Sequence, residues 1–281
     1  MESTVPGAPP PPTSAADFPR PVQFVTQPPP GFVSVGDPSS SSSSSSSRDH
    51  PVLPAPSLDA IQADRLGWRG PTDYSNWVVR GRLMAGGYPG DSVSTERHEQ
   101  TVDALLAAGV TTFVCLQLTS ELSSRFRPYR EYAIERHRQR REEQNAKAKA
   151  TETEIVGEGA SERELQFLHF PIPDQYVVED EKVLALVEEL LVRFHAGEVM
   201  YIHCWGGHGR TGTIVACLLA RLHGFTGADG AEKTLDLTAA LHCCRVRKTS
   251  SRSPQHPTQY TQVRRLVAGP AAESLADGAS S

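Results

Sequence analysis

No stretch of 18 consecutive apolar residues occurs in this sequence, which argues against a transmembrane helix. A basic excess is also missing: 28 Lys and Arg against 33 Asp and Glu leave a formal charge of −5. A dedicated nucleic-acid binder is expected to show the opposite balance. Cysteine is sparse, with five residues and no metal-ligand spacing among Cys115, Cys204, Cys217, Cys243 and Cys244. An odd, scattered set of thiols predicts a reducing compartment, the cytoplasm or the nucleus as well, rather than a disulfide framework. Neither a metal nor a cofactor is expected. No apolar segment follows Met1, and Arg20 is the only arginine in the first forty residues, so neither a secretory signal nor a transit peptide is predicted. Apolar residues are themselves scarce at 38%, below the roughly 45–50% of compact domains. Part of the chain must therefore dilute an ordinary core.

The dilution is concentrated at the start. The first 56 residues hold 14 of the 22 prolines, including Pro9 to Pro12 and Pro28 to Pro30, and Ser39 to Ser47 is an unbroken serine run. Such a composition buries too little apolar surface to offset its ordering entropy, so residues 1–66 are predicted to be a disordered Pro/Ser-rich tail. Its proline clusters also suit a ligand for an SH3- or WW-type domain. A second polar stretch, 135–161, reads as a charged insertion, helical in its first half and loop in its second. The small, polar residues 269–281 read as a flexible tail. One domain over 67–268 remains.

Within it, Thr111 to Leu116, Leu165 to Phe170 and Val199 to Ile202 are short apolar runs rich in β-branched or aromatic residues and predict strands. Val183, Val187, Leu190, Leu191 and Phe194 recur at helical spacing up to Gly197, and Thr213 to Leu222 is a second apolar helical run. Strands alternating with helices predict an α/β architecture with a mainly parallel central sheet flanked by helices. Asn76 to Gly90 reads as an entry strand and turn, with Tyr88 a candidate for the border of a cleft.

The chemistry is concentrated between the third strand and the helix after it, in His203-Cys204-Trp205-Gly206-Gly207-His208-Gly209-Arg210-Thr211-Gly212. Five residues separate Cys204 from Arg210, and three of them are glycine. A loop this short can curl so that its backbone N–H groups converge, and the helix that follows adds the positive end of its dipole. Trp205, Gly206, Gly207, His208 and Gly209 would thus cradle a tetrahedral dianion. Arg210 can reach over that cradle with a planar fork that matches two phosphate oxygens. The same field favours the ionised sulfur of Cys204, a nucleophile aimed at a bound phosphorus.

This stretch matches the pattern HCx5R[ST] and resembles the protein tyrosine phosphatase superfamily, most closely its dual-specificity and kinase-associated-phosphatase-like branch. The resemblance implies that Cys204 forms a cysteinyl-phosphate and that Arg210 binds phosphate in ground and transition states. It implies that the Thr211 hydroxyl serves the leaving thiolate and that His203 orders the loop from behind. The general acid of the family follows a strand and a Pro-rich turn, as Asp174 does in "HFPIPDQYVVED". Asp180 competes with it but reads as a helix N-cap, and Glu179 is a lesser alternative. Gln255 and Gln259 have the spacing of the family's water-positioning glutamines, or simply open a polar helix. Lysines that would meet the extra phosphates of a 3-phosphoinositide are missing from the loop. His208, half-charged near neutral pH, would give a weaker preference for anions. The implied partners are phosphorylated proteins, with phosphoinositides, inositol phosphates or an RNA 5′ end as alternative substrates and a phosphate-binding scaffold as the non-enzymatic alternative.

Overall fold

The computed structural model describes residues 28–35, 50–91, 94–150, 163–247 and 252–269. Its strands are β1 (Val33–Ser34), β2 (Ser75–Val79), β3 (Leu83–Gly86), β4 (Thr112–Cys115), β5 (Gln166–His169) and β6 (Met200–His203). The helices are α1 (Leu58–Ala63), α2 (Thr95–Ala107), α3 (Thr119–Arg125), α4 (Arg130–Ala150), α5 (Asp180–His195), α6 (Gly209–His223), α7 (Gly227–His242) and α8 (Pro257–Ala268). The strands form one sheet in the order β1-β5-β4-β6-β3-β2, parallel throughout except for the β2–β3 hairpin at one edge.

Every residue of β3, β4 and β6 is buried, because helices cover both faces of a parallel sheet and its strands carry continuous apolar runs. Side chains alternate between two cores. Leu83, Ala85, Val114, Met200 and Ile202 pack with α5, α6, α7 and α8, whereas Met84, Phe113, Phe167 and Tyr201 pack with Val102 and Leu105 of α2 and with Tyr129 and Ala133 at α4. Helix α5 buries Val183, Leu186, Val187, Leu190, Leu191 and Phe194 on one face and ends before Gly197, whose positive φ of 93° suits the close of a helix.

The predicted α/β architecture with a mainly parallel sheet is the observed one. The proposed start of the folded domain needs correction. Within the stretch read as a disordered tail, β1 pairs parallel with β5, aligning Val33 with Leu168. Phe32 packs edge-on to Phe167 and Tyr129, and Val35 belongs to the main core. Further on, Leu53 N–H donates to the Leu222 carbonyl at 2.7 Å. Helix α1 is capped by Ser57 and buries Ile61, which is 2% exposed. Short apolar segments such as Phe32 to Val35 vanish in a composition averaged over proline and serine, yet one sheet edge is enough to pair this one and to pack Phe32 and Val35. The Pro9 to Pro12 and Ser39 to Ser47 runs lie outside the described residues, as do 151–162 and 270–281. The charged insertion is helical through Ala150, as expected for its first half, and Arg136 ties it to Asp103 of α2 at 3.0 Å.

The parallel strands place Gly86, His203, Cys115 and His169 in one row at their carboxyl ends. In open α/β sheets, this end is where ligands bind, and the Cys204 loop leaves β6 there.

Candidate active site

The loop from Cys204 to His208 joins β6 to α6. Its carbonyls are held from outside. The Leu116 amide donates to His203 O at 2.9 Å and the Tyr88 amide to Trp205 O at 2.8 Å. Arg245 Nη1 donates to Gly206 O at 3.4 Å, Ser253 Oγ to His208 O at 3.0 Å and Thr213 Oγ1 to Gly209 O at 3.0 Å. A trans peptide points its N–H opposite to the preceding C=O. The amides of Gly206, Gly207, Gly209 and Arg210 therefore face away from those partners, toward the inside of the loop. No side chain caps the N-terminus of α6, so its dipole adds to the same concave surface.

Gly207 is required twice. Its φ is 73°, and a Cβ there would lie 2.3 Å from the backbone of Gly86. A Cβ at Gly209 would meet the Gln259 side chain at 2.8 Å. The loop is thus wedged between the Gly86–Tyr88 turn and the start of α8, where no side chain fits.

Cys204 is buried, and Arg210, on the first turn of α6, is 2% exposed. Arg210 Nη1 donates to Glu121 Oε2 at 2.6 Å and to the Ile172 carbonyl at 3.0 Å. Its Nη2 lies 3.1 Å from Asp174 Oδ1, although neither Nη2 nor Nε has a partner with hydrogen-bond geometry. Burial opposes the guanidinium charge, but the effects of Cys204, Glu121 and Asp174 around it outweigh that and raise the Arg210 pKa. Two buried N–H donors on a fixed plane fit two oxygens of a phosphate.

The predicted site residues meet unevenly here. Asp174 reaches Arg210 with its side chain 52% exposed, a position open to substrate. Thr211 is fully buried with an unpartnered hydroxyl. His203 is buried beneath the loop, its Nε2 2.7 Å from the Tyr129 hydroxyl. Burial pushes its pKa down to about 3 against a smaller opposing pull from the Cys204 backbone, so it is neutral. Trp205 is 50% exposed and packs edge-on to Phe126. Together with Tyr74, Tyr88 and Phe126 it walls a groove of about 580 Å³ that runs beside Gly206 and His208. Tyr88 does border this groove. Gln259 is buried and accepts from the amides of Gln255 and His256 at 3.1 and 3.0 Å, a capping box for α8. The Gln255 side chain is exposed.

Two expectations are corrected. Asp180 is the first residue of α5 and not its cap, which is Glu179. The Asp180 carboxylate accepts from Gln262 Nε2 at 2.9 Å and pairs with Arg265. His208 is not half-charged near neutral pH. Burial and the nearby Arg245 push its pKa down to about 4, and its Nδ1 lies 2.7 Å from His242 Nε2. Glu121, Tyr129, Arg245 and Asn76 went unnoticed in the sequence. Each is far along the chain from the motif and has no spacing of its own that could have marked it.

Residues 147–263 match the family model described as the Swiss Army Knife protein, DSP-PTPase phosphatase domain. A putative tyrosine phosphatase, 067L, of Invertebrate iridescent virus 3 is 32% identical over 108 residues, which is 36% of this chain and 43% of the viral protein. The match thus spans less than half the length of that relative. Among solved structures, the chain is similar to Tk-PTP in its active form, at 21% identity and a TM-score of 0.42, over 69% of this chain and 95% of that one. It is similar also to a kinase associated phosphatase whose catalytic-site cysteine is replaced by serine, at 19% identity and a TM-score of 0.44, over 64% and 83%. The Cys204-to-Thr211 motif, at the carboxyl end of a mainly parallel sheet, falls within the residues that match the DSP-PTPase phosphatase domain model.

Proposed function

We propose that the chain is a cysteine-dependent phosphoprotein phosphatase that hydrolyses phosphotyrosine and also phosphoserine or phosphothreonine. The observation that carries this reading is the Arg210 guanidinium, buried beside Cys204, with Nε and Nη2 making no hydrogen bond and Nη2 only in an ion pair with the half-exposed Asp174. An unpaired buried donor is costly, and a bound phosphate removes that cost. In the first step, the Cys204 thiolate attacks phosphorus and the phosphorus–oxygen bond to the substrate breaks. Asp174 protonates the departing oxygen. Arg210 and the inward amides hold the three equatorial oxygens as charge gathers on them. In the second step, water attacks the cysteinyl-phosphate, Asp174 takes its proton, and the buried Thr211 hydroxyl donates to the returning thiolate. His203, kept neutral, anchors the loop through Tyr129.

Protein substrates are favoured over phosphoinositides because the only titratable side chain among loop positions 205–209 is His208, and it is neutral. Nothing in the loop then meets a second or third phosphate. The aromatic groove beside Trp205 suits the residues flanking a phosphorylated side chain. Vanadate-sensitive hydrolysis of p-nitrophenyl phosphate, abolished in Cys204→Ser, is the expected result. A panel of phosphotyrosine, phosphoserine and phosphothreonine peptides set against phosphoinositides, inositol phosphates and a 5′-triphosphorylated RNA then tests the substrate class. Turnover of a phosphoinositide alone would overturn the protein-substrate reading. Absence of any hydrolysis with intact oxyanion binding would make the chain a phosphate-binding scaffold.

A further inference from the structure

A second arginine lies under the phosphate loop. Arg245, in the turn after α7, is 2% exposed. Its Nε donates to Asn76 Oδ1 of β2 at 2.7 Å, and its Nη1 donates to Gly206 O at 3.4 Å. Both acceptors are neutral. Among the described residues, no carboxylate comes within ion-pairing distance of it. A guanidinium is costly to bury without a counter-charge. Arg210 is placed differently, because Glu121 and Asp174 both stand against it.

The groups that favour the charge of Arg245 are the Tyr201 phenol and the Cys204 sulfur. Burial lowers the Arg245 pKa to about 10 while those two groups pull it upward, so the side chain is charged at neutral pH. The two imidazoles next to it carry no charge there. His208 and His242 are held down to about 4 and about 2, by burial first and then by the Arg245 charge. Tyr201, on the other side, keeps its proton, since burial raises its pKa, and donates to Gly87 O at 2.6 Å. On this flank of the loop, Arg245 is therefore the charged group.

We propose that Arg245 is a positioning residue of the phosphate site, holding the Gly206 carbonyl outward so that the Gly207 amide faces the bound oxyanion, and supplying that oxyanion with a positive charge no carboxylate cancels. The division of labour follows from the charges. The Glu121 carboxylate offsets Arg210, and the ionised form of Asp174 in the second step adds to that. A phosphate dianion would then meet little net positive charge from Arg210 alone. Arg245 provides it through the Gly206–Gly207 peptide, whose dipole it orients. This role rests on the phosphatase reading above.

Calorimetric titration of the full chain with tungstate tests it, alongside kcat and KM on p-nitrophenyl phosphate and the melting temperature. Arg245→Gln, which removes the charge, should weaken tungstate about tenfold or more and raise KM. Arg245→Lys, which keeps the charge, should stay within about threefold of wild type. Asn76→Asp should weaken tungstate as Arg245→Gln does, because it places a carboxylate against the guanidinium without changing side-chain size. It decides the matter if Arg245→Gln does not fold. Wild-type affinity in folded Arg245→Gln or Asn76→Asp would overturn the proposal and leave the phosphatase reading intact. An Arg245→Lys protein as weak as Arg245→Gln would overturn the role of charge. A wild-type chain that takes up no tungstate would remove the phosphatase reading, and this proposal with it.

Discussion

Glu121 Oε2 lies 2.6 Å from Arg210 Nη1, and the same oxygen accepts the Leu118 amide at 2.8 Å. One carboxylate atom thus joins the start of α3 to the guanidinium of the phosphate loop, 89 positions away in the chain. With the Ile172 carbonyl as its second acceptor, Nη1 is committed to the protein. The other edge of the guanidinium, Nε and Nη2, which makes no hydrogen bond and faces only the Asp174 carboxylate, is then the one presented to a ligand.

Glu121→Ala should therefore misplace Arg210 more than it unfolds the domain. A charge-assisted hydrogen bond of this kind contributes about 1.5–3 kcal/mol. The expected result is a fall in kcat/KM of about tenfold or more, with a melting temperature lowered by only about 3–12 °C. Activity within twofold of wild type would show that Arg210 needs no such anchor.

Asp174 and Asp180 are six positions apart, and their surroundings give them opposite roles. Asp174 is half exposed and contacts only Arg210 among the ion pairs described, whereas Asp180 is held by Arg265 and Gln262. Asp174→Ala is expected to lower kcat about a hundredfold or more on a substrate with a poor leaving group, and to flatten the basic limb of its pH profile. Asp180→Ala should leave kcat nearly unchanged and lower the melting temperature. The reverse pattern would move the general acid to Asp180.

Acid should destabilise the fold well before the carboxylates titrate. His203 and His242 are buried neutral, with pKa values pushed down to about 3 and about 2, chiefly by burial. An unfolded histidine takes up a proton near pH 6.5, so below that pH the unfolded state binds protons that the folded state refuses. Stability is complete above about pH 6.5 and falls as pH drops below it, by at most about 1.4 kcal/mol per unit for each such group. Melting temperatures measured from pH 7 to pH 5 should decline, and His242→Gln should make the decline shallower. An unchanged slope in that variant would mean that His242 takes up its proton without unfolding.

Much of the candidate site was legible in the sequence because it is local. Cys204, the three loop glycines, Arg210 and Thr211 lie within eight residues, and strand–loop–helix patterning places them at a sheet end without knowledge of the rest. Asp174 was singled out as a candidate because it follows a strand and a Pro-rich turn, where the resemblance places an acid. The alternating hydrophobic segments likewise predicted a mainly parallel sheet between helices. His208 was misjudged because its charge depends on burial and on Arg245, neither of which its neighbours in sequence reveal. Asp180 was misread because helix-start patterns place a cap only to within a residue or so, and its true partners lie in α8. The tail was drawn too long because composition registers an average, whereas β1 and α1 are held by a few apolar contacts each.

By itself, the order of residues determined the short glycine-rich cradle between Cys204 and Arg210 and the alternating α/β plan, since each depends on groups close together along the chain. Tertiary structure alone decided which groups restrain that cradle. Glu121, Tyr129, Asn76 and Arg245 reach it from α3, the start of α4, β2 and the turn after α7, brought together when the parallel strands end in one row. Charges and hydrogen bonds act over a few ångströms whatever the separation in sequence, so residues that share no motif become parts of one site only after the sheet has formed.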